Sequence, residues 1–517
     1  MKKLFIGLGI FIVLNISTAY LFLFTPFGNE LVSSFVETKI NEKEPIGFKF
    51  EEFVLSFDTL KIKATIDTTS HIELTGDIDL LSLKFNLKYM VDIKDLSKLE
   101  KWTKQKLNGN FKTNGEIKGN KDLLLVNGLT DVFGSNSKYD VVLKNFNVSN
   151  IDFLFKQIYI EKLLYTLNQP SYAKGKIDIA GNITNIELEN LSGKIATSIY
   201  DGQLNNKVVN EKFELKLVSN KNFQGKINTI LKPMLIDNAI DFKTSFANLN
   251  IKSATLNLKD NAINSDYEVV VENLNHLYDI TQMNFLGNLT LNGTVKKTKD
   301  LEVTGHSNTL KGTVDFRLFN DDFNAKIKNI EAYELTKMLM YPSFFVSKVN
   351  AVLDYNIVSQ QGVLTANLLN GQFIKTEFST LINNLARFDL TKEVYQNVDL
   401  TSKINKKVIQ SKISMNSDLT SIEVPSSLVD LDAQTTNTQV DLKIKGIDLS
   451  AVVSGDIKNP KIKIDASKFL QSQALEKIEE KIEKKVKEKF KDKLKGKIDD
   501  DEDLNKLVQG LKSIFKK

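Results

Sequence analysis

Apolar and polar side chains alternate with a period of two, segment after segment, along most of this 517-residue chain. That pattern restricts the chain to half-buried strands, whose successive side chains point to opposite faces. In residues 82–93 (SLKFNLKYMVDI), Leu83, Phe85, Leu87, Tyr89, Val91 and Ile93 fall on one face and Ser82, Lys84, Asn86, Lys88 and Asp92 on the other. The alternation returns at 60–66, 213–218, 251–258, 440–447 and 461–464. Helical patterns are few, at 151–167 and 331–340, after Leu96, and around Ser379–Leu385. Strands separated by Asn, Gly and Asp turns predict a mainly β, antiparallel architecture rather than βαβ units.

A long succession of one-sided strands makes a sheet with one apolar face, and such a face must be covered. Helices are too scarce here to do it. Two arrangements remain: the sheet packs on itself as a sandwich, or it curls into a groove whose inner face holds lipid chains. Leu83, Phe85, Leu87, Tyr89 and Val91 are the candidate lipid-contacting residues, and they serve equally well as sandwich core. Periodicity does not separate the two.

The chain also repeats itself. Gly109 and Gly115 in LNGNFKTNGEIK match Gly287 and Gly293 in LGNLTLNGTVK, 178 residues on, and Lys121-Asp122-Leu123 matches Lys299-Asp300-Leu301 at the same offset. A short helix ending in proline recurs around Pro170 and Pro342, now 172 apart. The expected organisation is an anchor at 1–25, a β segment at 26–105, two β repeats at 106–284 and 285–430, closing strands at 431–467 and charged helices at 468–517.

The two ends differ from the body. Leu4–Phe24 carries no charge, follows Lys2-Lys3, and has the length of a membrane-spanning helix. Ser17-Thr18-Ala19 resembles a cleavage site, but Leu21–Phe24 continue the apolar run past it. The reading is a single-pass anchor through residues 4–24, with a cytoplasmic N-terminus and an exported body. Residues 468–517 hold 15 Lys and 11 acidic residues. Within them, Leu504, Leu507, Val508, Leu511, Ile514 and Phe515 make one apolar helical face with lysines around it. This face at 504–517 would lie on a membrane surface, dock on a protein, or pack back on the body.

Several chemistries find no support. Net charge is only +5, and outside 468–517 the chain is close to neutral. Arg317 and Arg387 are the only arginines, so the chain lacks the basic face and the base-reading side chains of a nucleic-acid binder. There is no cysteine, hence no disulfide or thiolate site. His71, His276 and His306 stand apart, and no nucleophile elbow, phosphate loop or metal-binding helix motif occurs. No catalytic residue, metal or cofactor is expected.

The Gly-containing units, the N-terminal anchor and above all Val453-Ser454-Gly455-Asp456-Ile457-Lys458-Asn459-Pro460-Lys461-Ile462-Lys463-Ile464-Asp465 resemble the AsmA-like family. In that family a closing Gly-x-aliphatic-x-Asn/Asp-Pro strand pair precedes a charged terminal helix. The resemblance implies an inner-membrane anchor, a periplasmic body forming an elongated β-groove, and phospholipid acyl chains as partners. It further implies a part in phospholipid transport to the outer membrane, or in the integrity of that membrane. The alternative is a non-catalytic scaffold or assembly factor for outer-membrane proteins, with a self-packed β-sandwich body.

Overall fold

The structure is a computed structural model that describes residues 24–43, 46–445, 447–465 and the isolated positions 467, 480, 481 and 484. Apart from Phe24, the span-length run Leu4–Phe24 lies outside the described residues, as does the amphipathic face at 504–517. Among the described residues no helix is long and apolar enough to cross a membrane.

Twenty-six strands belong to one antiparallel sheet, as the alternation predicts. The chain divides into two compact units, 1–305 and 306–517. Unit 1 carries β1 (Lys49–Leu55), β2 (Thr59–Ile66), β3 (Ser70–Asp79), β4 (Lys84–Ile93), β5 (Phe111–Asn120), β6 (Leu124–Thr130), β7 (Asn136–Lys144), β8 (Asn147–Tyr159), β9 (Ala173–Asn185), β10 (Ser192–Leu204), β11 (Asn222–Lys232), β12 (Leu235–Thr244), β13 (Asn248–Asn257), β14 (Ile263–Val271) and β15 (Leu289–Lys297). The boundary falls within β16 (Leu301–Thr309). Unit 2 continues with β17 (Gly312–Phe319), β18 (Asp322–Glu331), β19 (Phe345–Asn356), β20 (Gln361–Phe373), β21 (Tyr395–Asn405), β22 (Val408–Asn416), β23 (Thr420–Asp430), β24 (Thr435–Ile444), β25 (Ile447–Asp456) and β26 (Lys461–Asp465). From β1 to β15, and again from β17 to β26, each strand pairs with the next in chain order.

In such a meander the connections alternate between the two ends of the strands. Within each unit, those after odd-numbered strands are short. Among the described residues, five helices have seven or more residues: α1 (Pro26–Lys43), α2 (Ile160–Thr166), α3 (Asn206–Phe213), α4 (Ala332–Met338) and α5 (Glu377–Ala386). All but α1, which precedes the sheet, follow even-numbered strands: α2 and α3 come after β8 and β10 in unit 1, α4 and α5 after β18 and β20 in unit 2.

The repeat read from glycines is a repeat of geometry. Asp95 and Asn273 each cap a turn of 3-10 helix, by accepting from Ser97 N and Asn275 N at 3.0 Å. Leu96 N and Leu274 N donate to the carbonyls of Gly109 and Gly287, both left-handed at φ 91° and 100°. At the 172-residue offset, Gln157 and Asn329 are left-handed bulge residues whose N–H groups donate to the side chains of Asp178 and Asn350. The period is ten strands, since β1, β11 and β21 each follow a helix and begin at Lys49, Asn222 and Tyr395, 173 residues apart both times.

Helix α1 lies along the free edge of β1. Asn29 brackets Leu55, accepting from its N–H at 3.0 Å and donating to its carbonyl at 3.2 Å. Glu37 accepts from Phe50 N, and Asn41 brackets Phe48 in the same way. These side chains satisfy backbone groups that an edge strand otherwise offers to another chain.

Some local expectations are corrected. Residues 151–159 are strand, and helix begins only at Ile160. Residues 213–218 are not a strand: α3 ends at Phe213, Glu214 is left-handed, and Asn210 brackets the backbone of Leu217 that a ladder would have used. The run 440–447 is broken at the left-handed Lys445, where β24 turns into β25. Leu83 is left-handed at φ 49° in the turn before β4, and so stands outside the strand.

Candidate functional site

Phe85, Leu87, Tyr89 and Val91 do share one face of β4, sheltered, while Lys84, Asn86 and Lys88 are exposed. Leu83 sits at the end of that row, in the turn. Register then extends the face strand by strand, because directly paired residues in an antiparallel sheet point the same way. Leu87 pairs with Ile117, which pairs with Val126, Val141, Ile151 and Ile183 in turn on β6 to β9. One position along, Lys88, Glu116, Asn127, Asp140, Asp152 and Asn182 make the corresponding row on the opposite face. A shift of one residue exchanges an apolar row for a polar one, which pins the register.

Glycines hold the rings on this face. An added Cβ at Gly128 would lie 2.3 Å from Tyr89 Oη and 2.6 Å from Tyr139 Oη, and at Gly115 it would meet the carbonyl of Asn127 at 1.8 Å. Tyr89 Oη donates to that same carbonyl at 2.9 Å and lies 2.7 Å from Tyr139 Oη. Burial and the neighbouring Tyr139 hydroxyl push the Tyr89 phenol well above the usual tyrosine range. Tyr267 repeats the device over Gly293, donating to Thr304 O at 2.8 Å. Phe153 covers Gly181 and Phe242 covers Gly225. The glycine spacing was legible in the chain, but only pairing shows that the glycines seat aromatic rings.

The two units cover their apolar rows differently. In unit 2, Val398, Met415, Ile422, Leu442 and Leu449 form one cross-strand row, all 8% exposed or less. Phe378, Ile382 and Ala386 of α5 pack on the cluster this row belongs to, with Leu390 and Tyr395 fully buried inside it. In unit 1 the equivalent row through Ile117, Val126, Val141, Ile151 and Ile183 is only half-buried. Ile179, Ile195, Ile227, Ile240 and Ile251 continue half-buried across β9 to β13. A closed cluster of Ile46, Ile66, Ile93 and Leu96 exists in unit 1, and Val91 packs against it. Val91 is therefore core, and Leu87 at 4% exposed is buried as well, whereas Phe85 and Tyr89 belong to the half-covered face.

The polar groups do not converge. His71 lies opposite Asp92 on the next strand, His276 is exposed on a 3-10 turn, and His306 Nδ1 lies 2.7 Å from Asp315 Oδ1 with both side chains exposed. Among the described residues no group of three or more His, Cys, Asp or Glu gathers to hold a metal ion. A polar cleft of about 530 Å³ opens at the ends of β9 to β12, between Lys174, Asp201, Asn222 and Lys243. A nearly buried ion pair joins Lys221 Nζ to Asp279 at 2.7 Å, with the side chains 9% and 11% exposed. The hydrogen bond from Lys221 holds the Asp279 carboxyl below its usual range. This pair ties the loop before β11 to the turn after β14.

The fold thus defines a class: a sequentially paired antiparallel β protein with a ten-strand period, one polar face and one apolar face. No family model, no curated protein and no solved structure matches the chain.

Proposed function

We propose that this protein is a lipid-binding β-groove protein, anchored in the inner membrane through residues 4–24, whose periplasmic body carries phospholipid acyl chains toward the outer membrane or maintains that membrane. The observation that supports it is the half-buried apolar row across the middle strands of unit 1, in contrast to the buried row of unit 2, whose cluster includes Ile382 of α5. An acyl chain laid on the open row would gain about 0.8 kcal/mol for each CH₂ removed from water, while its head group stays on the wet side. The reading assigns no catalysis. Phe85 and Tyr89, on either side of the buried Leu87, lie at one end of the lining, and Ile117, Ile151 and Ile227 continue it.

The test uses the full chain in membrane vesicles containing a phospholipid with a photoreactive acyl chain. Cross-linked peptides from β5, β8 and β11 are expected, and their loss in an Ile151→Asp variant that keeps its circular dichroism. Adducts confined to residues 4–24, with the body unlabelled, would refute lipid binding by the sheet. The packed cluster in unit 2 favours a second reading, that the body is a self-covered scaffold for other envelope proteins; an unlabelled body is the result that reading expects.

A further inference from the structure

We propose that the rim of unit 1 formed by its first five tight turns lies on the bilayer surface, with the apolar turn tips inserted among the lipid head groups; this rests on the reading of residues 4–24 as a membrane anchor. Tight turns ordinarily place Gly, Asn, Asp or Ser at their tips. Here the connections after β1, β3, β5, β7 and β9 present Phe57, Leu81, Leu123, Phe146, Ile186 and Leu188, between 44% and 88% exposed. Turn chemistry drives this outward display. Asp79 accepts from the N–H groups of Leu81 and Ser82, and Asn120 from those of Asp122 and Leu123, so the polar side chains fold onto the turn and the leucines project. Some neighbouring tips are tied together, Ile78 N to Asp58 O at 2.9 Å and Asn145 N to Asp122 O at 3.4 Å, which restrains their mutual spacing.

The position of Phe24 identifies the occupant. Phe24 ends the uncharged run of residues 4–24, and its ring lies 4.8 Å from that of Phe57 at the first tip. Phe27, one residue into α1, is 64% exposed beside it. The chain therefore leaves its span-length segment at this rim. Turns two strands apart are spaced by roughly 10 Å, so five of them cover on the order of 40 Å. Within unit 1 the last two tight turns carry polar tips instead: those after β13 and β15 hold Lys259-Asp260-Asn261 and Thr298-Lys299-Asp300. The opposite rim also exposes apolar side chains, Val218 at 83% among them, but ten-residue strands set the two rims about 33 Å apart, out of reach of the same membrane surface.

Because the chain has no cysteine, single cysteines can report on each position. The full chain would be reconstituted in vesicles of phosphatidylethanolamine and phosphatidylglycerol, with Leu81→Cys, Phe146→Cys, Asp260→Cys or Val218→Cys carrying an environment-sensitive fluorophore. The expected result is blue-shifted emission at 81 and 146, quenched by a lipid-borne nitroxide, with water-like, unquenched emission at 260 and 218. Water-like emission at 81 and 146 in chain that floats with the vesicles would overturn the rim proposal and leave the anchor standing. So would equal quenching at 218, and so would a blue shift at 81 without quenching, which would mean that protein covers the tips. Chain that fails to float would bring down the anchor and the rim together.

Discussion

Tyr89→Phe tests whether the ring-over-glycine lattice holds the apolar face together, and the repeat supplies the control at Tyr267. Tyr89 Oη donates to Asn127 O and lies 2.7 Å from Tyr139 Oη, which lies 2.7 Å from Thr113 Oγ1, itself donating to Leu129 O at 2.8 Å. Tyr267 has a single hydrogen bond from its hydroxyl among the described residues, to Thr304 O. A net hydrogen bond contributes about 1 kcal/mol, so Tyr89→Phe should cost about 2 kcal/mol and Tyr267→Phe about 1 kcal/mol. Both variants keep the ring over its glycine, so packing is unchanged and the comparison isolates the hydroxyl. The assay is amide hydrogen exchange by mass spectrometry, which reads local opening. At tenfold per 1.4 kcal/mol, exchange should accelerate about 30-fold in β4 to β6 for the first variant and about fivefold in β14 and β15 for the second. Equal effects at the two sites, or none at Tyr89, would show that the hydroxyl network does not support the sheet.

Two further outcomes follow from the described contacts. Asn29→Ala removes both bonds to the Leu55 backbone and uncovers the edge of β1; the expected loss is about 1–2 kcal/mol in a denaturant titration, with concentration-dependent association visible by light scattering. Asp279→Asn leaves the Lys221 ammonium without its carboxylate and should cost about 3 kcal/mol, which Lys221→Met in the same chain largely restores. The pH dependence has a definite sign, because the folded Asp279 carboxyl titrates below its usual 3.8: its stabilisation is full above about pH 4 and fades as pH falls through the lowered value. Acid unfolding monitored in wild type and Asp279→Asn should therefore converge at low pH.

Alternation within 82–93 was enough to place Phe85, Leu87, Tyr89 and Val91 on one face, because side-chain direction along a strand is a property of the local backbone. It failed at Leu83, where a left-handed turn intervenes, and at 213–218, where Asn210 takes over the backbone groups of Leu217. The helical pattern read at 151–167 failed over 151–159, where Ile151, Phe153 and Phe155 are held as a strand by pairing with β9 on one side and β7 on the other. Neither partner is visible to a local pattern.

Strand direction, face and period were thus inscribed in the chain, as were the glycines that mark the ten-strand repeat. Coverage was not. Ile151 and Ile422 have the same alternating neighbourhood in sequence, yet Ile151 is half-buried while Ile422 is 2% exposed within the cluster that α5 packs on. What lies over an apolar row is decided by segments dozens of residues away, and local periodicity carries no record of them. The same holds for the rim: Leu81 and Leu123 read as ordinary apolar residues until the meander brings alternate turns, and Phe24, to one end of the strands.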